Sequence, residues 1–170
     1  MRSILISAIP LLIFSCIIHA QQPSAAWNKY KWLIGNWEGE GDGKPGDGKG
    51  WFSLQEDLSG KILVRKNHSE YPAKNEKPGI IHDDLMIVYP GPGMNSLKAI
   101  YFDNEGHTLQ YSVSSTDSSV VFISDKIPDS PVFRLTYKLI NNGSITIKFE
   151  ISPDGEKFNT YTEGRCRRKE

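Results

Sequence analysis

Ten short strand-like segments, separated by turn residues at close intervals, constrain the fold of this 170-residue chain more than any other feature. They cover 37–41, 50–57, 61–71, 80–89, 97–102, 108–114, 120–124, 132–140, 144–151 and 158–166. In several of them apolar and polar residues alternate. Phe133, Leu135, Tyr137 and Leu139 alternate with Arg134, Thr136 and Lys138, and Ile145, Ile147, Phe149 and Ile151 with Thr146, Lys148 and Glu150. A strand turns successive side chains to opposite faces, so such a segment has one buried face and one wet face. Asn142-Gly143 is a strong hairpin signal, and Leu58-Ser59-Gly60, Asn104-Glu105-Gly106 and Pro153-Asp154-Gly155 read as further turns. Ten strands joined in order by short turns must hide two sheet edges, and closing the sheet on itself does so. An open Greek-key sandwich needs longer connections, and only 42–49 and 72–79 are long. The expectation is an all-β fold, an antiparallel up-and-down β-barrel of about ten strands. Beyond eight strands the interior need not be filled by its own side chains, so an internal cavity and a ligand are expected.

One helical pattern precedes the strands, at 24–35. Ser24 is placed to cap it and Gly35 to end it. Trp27, Tyr30 and Ile34 share one stripe at spacings of three and four. A helix this short is marginal alone, so it must lean on something apolar. It is expected to close one end of the barrel.

Residues 1–20 read as a secretory signal peptide: Arg2, an apolar run from Ile4 to Ile18, and a cleavage site after Ala20. The run is short for a membrane span, and no basic stop-transfer cluster follows it. Ile13-Phe14-Ser15-Cys16 resembles a lipobox only loosely, because Phe14 fits that pattern poorly. The expectation is therefore a secreted or periplasmic protein with one domain, 21–170, rather than a lipoprotein anchored at Cys16. Arg2 is the only charge removed, which leaves 19 Lys and Arg against 20 Asp and Glu. That balance gives no electrostatic reason to bind nucleic acid or an anionic membrane. The basic ending Arg165, Arg167, Arg168 and Lys169 reads as a solvated chain end. Cys166 would be the sole cysteine of the mature chain, so the domain forms no internal disulfide and relies on its core and sheet.

Few motifs carry chemistry. The loop 41–50 fits the opening of a phosphate-binding glycine motif, but Trp51-Phe52 follows it as a strand where such a motif needs a helix. No Gly-x-Ser-x-Gly is present. His82-Asp83-Asp84 is the densest ionisable cluster in an otherwise apolar strand, and His82 and Asp84 share a face. Such a pair can satisfy itself, orient a ligand, or act as acid and base, and His68 and His107 lie on segments that can approach it. His82, Asp84, Tyr101, Tyr111 and Arg134 are the candidate polar groups of the cavity.

At Leu33-Ile34-Gly35-Asn36-Trp37-Glu38-Gly39-Glu40-Gly41 the chain resembles the calycin group, which includes lipocalins, fatty-acid-binding proteins and nitrobindin-like barrels. The stretches from Tyr101 to His107 and from Phe158 to Gly164 are similar to exported bacterial lipocalin-like domains of unknown function. The resemblance implies a barrel whose first strand opens with Gly35-x-Trp37 after a short helix. It also implies an arginine of the last strand packed on Trp37, with Arg165 the candidate and Arg167 second. Nitrobindin-like proteins hold haem through a histidine near the C-terminus, yet no histidine follows His107 here; fatty-acid-binding proteins hold a carboxylate with Arg-x-Tyr, a triplet absent from the last strand. The reading is an exported, non-enzymatic barrel that takes a small apolar or amphipathic molecule, with no cofactor or metal, as a monomer or weak dimer. The alternatives are an enzyme (isomerase, cyclase or hydrolase-like) that uses His82 and Asp84 in the same cavity, and a haem-binding nitrobindin-like protein lacking the usual histidine.

Overall fold

A computed structural model describes residues 25–41, 48–73, 78–92 and 96–170. The expected signal peptide with Cys16, the Ser24 cap, and the loop residues 42–47 and 74–77 lie outside the described residues. The alternating segments form ten strands: β1 (Gly35–Gly39), β2 (Lys49–Asp57), β3 (Ile62–Tyr71), β4 (Ile80–Pro90) and β5 (Leu97–Asp103), then β6 (Thr108–Ser115), β7 (Ser119–Ser124), β8 (Val132–Asn141), β9 (Ser144–Ser152) and β10 (Asn159–Lys169). Each pairs antiparallel with its neighbours in sequence, and β1 also pairs with β10, so the sheet closes into a barrel. The expected up-and-down topology is the observed one.

The element before β1 differs from expectation. It is a 3-10 helix, Ala25–Tyr30, and not an α-helix running to Gly35. A 3-10 helix repeats every three residues, so positions i, i+3 and i+6 share a side. Trp27, Tyr30 and Leu33 are accordingly the buried set, and Leu33 takes the place expected for Ile34. Trp27 Nε1 donates to the Gly60 carbonyl at 2.9 Å in the β2–β3 turn, and the Tyr30 hydroxyl donates to Ser115 Oγ at 3.0 Å beside the β6–β7 turn. These bonds fasten the helix across one end of the barrel.

Gly35 opens β1 and does not end a helix. Its φ is +140°, and a Cβ there would strike Arg168 Nη1. Arg168 is the arginine that packs on Trp37, with Cζ 4.4 Å from the ring centroid. It also donates to the carbonyls of Ile34 at 2.8 Å and Trp32 at 2.6 Å. The expectation of Arg165 or Arg167 in this role is corrected. Trp37 stands opposite Arg168 in the register, so Arg168 shares its inward face and the odd-numbered neighbours point outward. Arg167 instead bonds Glu38 at 2.9 Å on the outer wall. The basic ending is thus part of β10 and not a free tail.

The core fills the closed end. Trp37 stacks on Phe52 at 6.1 Å, and both Phe52 and Phe122 meet Tyr137. Leu63, Met86, Val88, Ala99, Val120 and Ile145 complete the packing, each almost fully buried. Burial at roughly 25 cal/mol per Å² of apolar surface makes this cluster the main source of stability. Cys166 packs into it from β10 as a free thiol, and burial pushes its pKa up to about 11, away from reactivity. Among the described residues no helix is long and apolar enough to cross a membrane.

Candidate functional site

The end of the barrel away from the 3-10 helix is open inside. Closed-barrel strands alternate inward and outward, so Thr162 and Gly164, in step with buried Cys166, face inward. Both are nonetheless exposed, as is all of β10 from Asn159 to Arg165. A Cβ added at Gly164 would meet nothing within 4 Å. Solvent therefore reaches the inner face of β10, and this half of the barrel is a cup.

Two unlike walls face each other across it. In a ring of ten strands β10 stands opposite β5, and β9 opposite β4. On the first side lie Phe133, Ile147 and Phe149, each only partly buried against the core. Phe133 and Phe149 are nearly parallel at 5.8 Å, and Tyr161 meets Phe149 edge-on at 6.1 Å while remaining 73% exposed at the rim.

The opposite side is a polar network. Arg65 on β3 reaches Asp84 on β4 in a short charge-assisted bond, and both side chains are almost fully buried. Arg65 also lies 5.6 Å from the Phe52 ring centroid and 6.0 Å from that of Tyr137, above the packed core. His82 Nε2 lies 3.0 Å from the Tyr101 hydroxyl and 3.5 Å from Asp84 Oδ2, and its Nδ1 lies 3.1 Å from Glu105 Oε1. The Tyr101 hydroxyl donates to Asp103 Oδ2 at 3.2 Å. Asp103 also accepts from the backbone amides of Glu105 and His107, and His107 Nδ1 lies 2.9 Å away. Asp84 and Asp103 stand directly opposite each other in the β4–β5 register. Two buried carboxylates in that position repel; Arg65, His82 and the His107 contacts offset the repulsion.

The electrostatics follow from these contacts. The hydrogen bond to Asp84, aided by Glu105, raises the His82 pKa to about 9 despite partial burial, so the ring is an imidazolium near neutral pH. Burial, with the Asp84 and Asp103 charges, pushes the Tyr101 phenol far above its ordinary value. Burial works against the Asp103 carboxylate, but the His107 and Glu105 hydrogen bonds outweigh it and lower its pKa. Arg65 Nε and the Tyr137 hydroxyl are buried without a properly formed hydrogen bond among the described residues. An unsatisfied buried group of this kind costs about 1–3 kcal/mol.

The structure brings three of the five sequence-expected polar residues together: His82, Asp84 and Tyr101. Tyr111 lies below them, buried in the core and edge-on to Tyr101 at 6.3 Å. Arg134 does not belong to the cup. It shares the outer face with its cross-strand partner Glu150, bonded at 2.7 and 2.9 Å, and its Cζ sits 4.0 Å over the Phe158 ring. His68 is also outside, on Trp51 and bonded to Asp83 and Glu70. Among the described residues no group of three or more His, Cys, Asp and Glu side chains is placed to hold a metal ion. Sequence reasoning missed Arg65, although its two-residue spacing from Leu63 places it on the inward face.

An imidazolium with both nitrogens engaged has no lone pair to accept a proton. The network therefore orients and neutralises more readily than it abstracts protons. No protein-family model matches the chain, and no curated protein matches its sequence. Its structure matches the crystal structure of Rv2717c from M. tuberculosis with a TM-score of 0.59, over 88% of this chain and 100% of that one, at 11% sequence identity. At that identity the likeness carries the fold alone, a closed antiparallel β-barrel.

Proposed function

We propose that the protein is a non-enzymatic, calycin-like binder of a small amphipathic molecule, held in the open half of the barrel. The observation that carries this reading is the solvent-reached inner face at Thr162 and Gly164, opposite the His82–Tyr101 wall. The apolar part of the ligand lies on Phe133, Ile147 and Phe149, and its polar edge meets the network above Arg65. Removing about 200 Å² of apolar ligand surface from water contributes on the order of 5 kcal/mol, and a few polar groups fix orientation. The plugging 3-10 helix, the Gly35-Asn36-Trp37 opening and the arginine on Trp37 support calycin kinship. The sequence of residues 1–20 supports export.

Native mass spectrometry on protein purified from its source tests this reading, together with titration by the amphipathic fluorophore 1-anilinonaphthalene-8-sulfonate. The expected result is a co-purifying small molecule, or saturable probe binding at one site that Phe149→Asp abolishes. Absence of both overturns it. A general-base role for His82 is disfavoured by its engaged nitrogens.

A further inference from the structure

The outer wall of β8 to β10 is mostly polar, and that of β3 to β5 is not. On β8, β9 and β10 the outward residues include Arg134, Thr136, Lys138, Thr146, Lys148 and Arg165. On β3 to β5 the outward positions form in-register apolar rows instead. Val64, Ile87 and Ile100 make one row, and Leu85 and Phe102 continue it beside Lys66. Trp51 on β2 stands at the edge, 49% exposed, and Phe102 is 38% exposed. Trp51, Lys66, Leu85 and Phe102 line a shallow groove together with Asp83 and Asn104, and Asn67, Asp84 and Asp103 also border it. Strands β4 and β5 are thus apolar on both faces, as in 85–89 and 99–102. That is the pattern of strands covered on both sides. The inner face has the barrel core; among the described residues the outer face has no cover.

We propose that this face is covered by a second copy of the chain, in a two-fold symmetric dimer built on the outer walls of β2 to β5. A closed barrel offers no free sheet edge, so association by strand pairing is not open to it. A two-fold interface must carry its own complement, and this patch does. Trp51, half exposed and stacked on His68, borders the Leu85–Phe102 groove. Lys66 has no ion-pair partner among the described residues, and the Asp83 side chain is 54% exposed. Across a two-fold axis, Trp51 of each copy enters the groove of the other and Lys66 faces Asp83. The charges around the groove are of both signs, which suits a second copy; an anionic membrane calls for a basic excess.

Sedimentation equilibrium over a range of concentrations tests this on the protein as its cell processes it. The wild type should be a dimer. Phe102→Glu should raise the dissociation constant at least about 30-fold while leaving the thermal melt of the barrel cooperative. Lys66→Asp and Asp83→Lys should each weaken the homodimer, and an equimolar mixture of the two should form a heterodimer. Because His68 also bonds Asp83, the mixture, not either single variant, reads the cross-copy contact. A monomer at every concentration overturns the proposal. So does a dimer insensitive to Phe102→Glu, or co-sedimentation of a monomer with phosphatidylcholine vesicles that Phe102→Glu abolishes.

Discussion

The two halves of the barrel are built from the same alternating strands and behave oppositely. At the closed end, the inward positions carry Trp37, Phe52, Leu63, Met86 and Tyr137, and the 3-10 helix adds Trp27 and Tyr30, and the turn after it Leu33, beneath them. At the open end, the inward positions of β10 carry Thr162 and Gly164, and β4 and β5 carry His82, Asp84, Tyr101 and Asp103. One half gives up interior space to gain stability. The other keeps space and spends carboxylates, an imidazolium and a phenol lining it. The Arg65–Asp84 pair is the seam, buried like the core and charged like the cup. On the proposed reading, stability and binding are therefore separable along the barrel axis.

Perturbing the closed half should cost the most. Trp37→Ala removes a fully buried indole, its 2.8 Å bond to the Leu33 carbonyl and the surface under Arg168. It should destabilise the fold by about 5 kcal/mol in urea denaturation. A cost near zero would mean that the closed end is not the stabilising half. At the seam, Asp84→Ala strands the Arg65 charge and should cost about 3–4 kcal/mol, most of which the double variant Arg65→Met with Asp84→Leu recovers. Arg168→Ala should cost about 2 kcal/mol, from the stacking and the two carbonyl bonds, whereas Arg165→Ala should leave the denaturation midpoint unchanged.

The mouth should respond to pH rather than to truncation. The His82 pKa is raised in the folded state, so the stability from its contacts is complete below the ordinary value near 6.5 and is lost as pH rises through about 9. The loss should be on the order of 1 kcal/mol, because the side chain is partly exposed and screened. His82→Asn should flatten the stability profile across that window. A profile that falls equally in the variant would place the pH dependence elsewhere.

Much of this architecture is readable from residue order, for physical reasons. Period-two alternation fixes which side of a strand is wet, and Asn-Gly and Asp-Gly turns fix where it reverses; most strand ends accordingly fall within a residue or two of their expected places. The last strand is the exception. Basic residues occupy both parities from Arg165 to Lys169, and a register shift intervenes between Thr160 and Thr162. Alternation alone therefore does not reveal that Arg168, and not Arg165, meets Trp37. Arg134 is the reverse case. Its place between Phe133 and Leu135 already puts it on the wet face, where Glu150 holds it. The Arg65–Asp84 pair is hidden because Arg65-Lys66 looks like an ordinary surface pair, and only the inward step from Leu63 separates the two. The openness of the cup is not legible at all. It depends on how much side-chain volume ten strands bring to one level, and Gly164 is its clearest mark.

Gly164→Leu tests the central claim most directly, because it fills the space in front of β10 without disturbing the closed half. A Cβ there meets nothing within 4 Å. Urea midpoints should therefore stay within about 0.5 kcal/mol of wild type, while saturable binding of 1-anilinonaphthalene-8-sulfonate is lost. Binding that survives unchanged in a stably folded Gly164→Leu protein would contradict the account and place the ligand outside the cup.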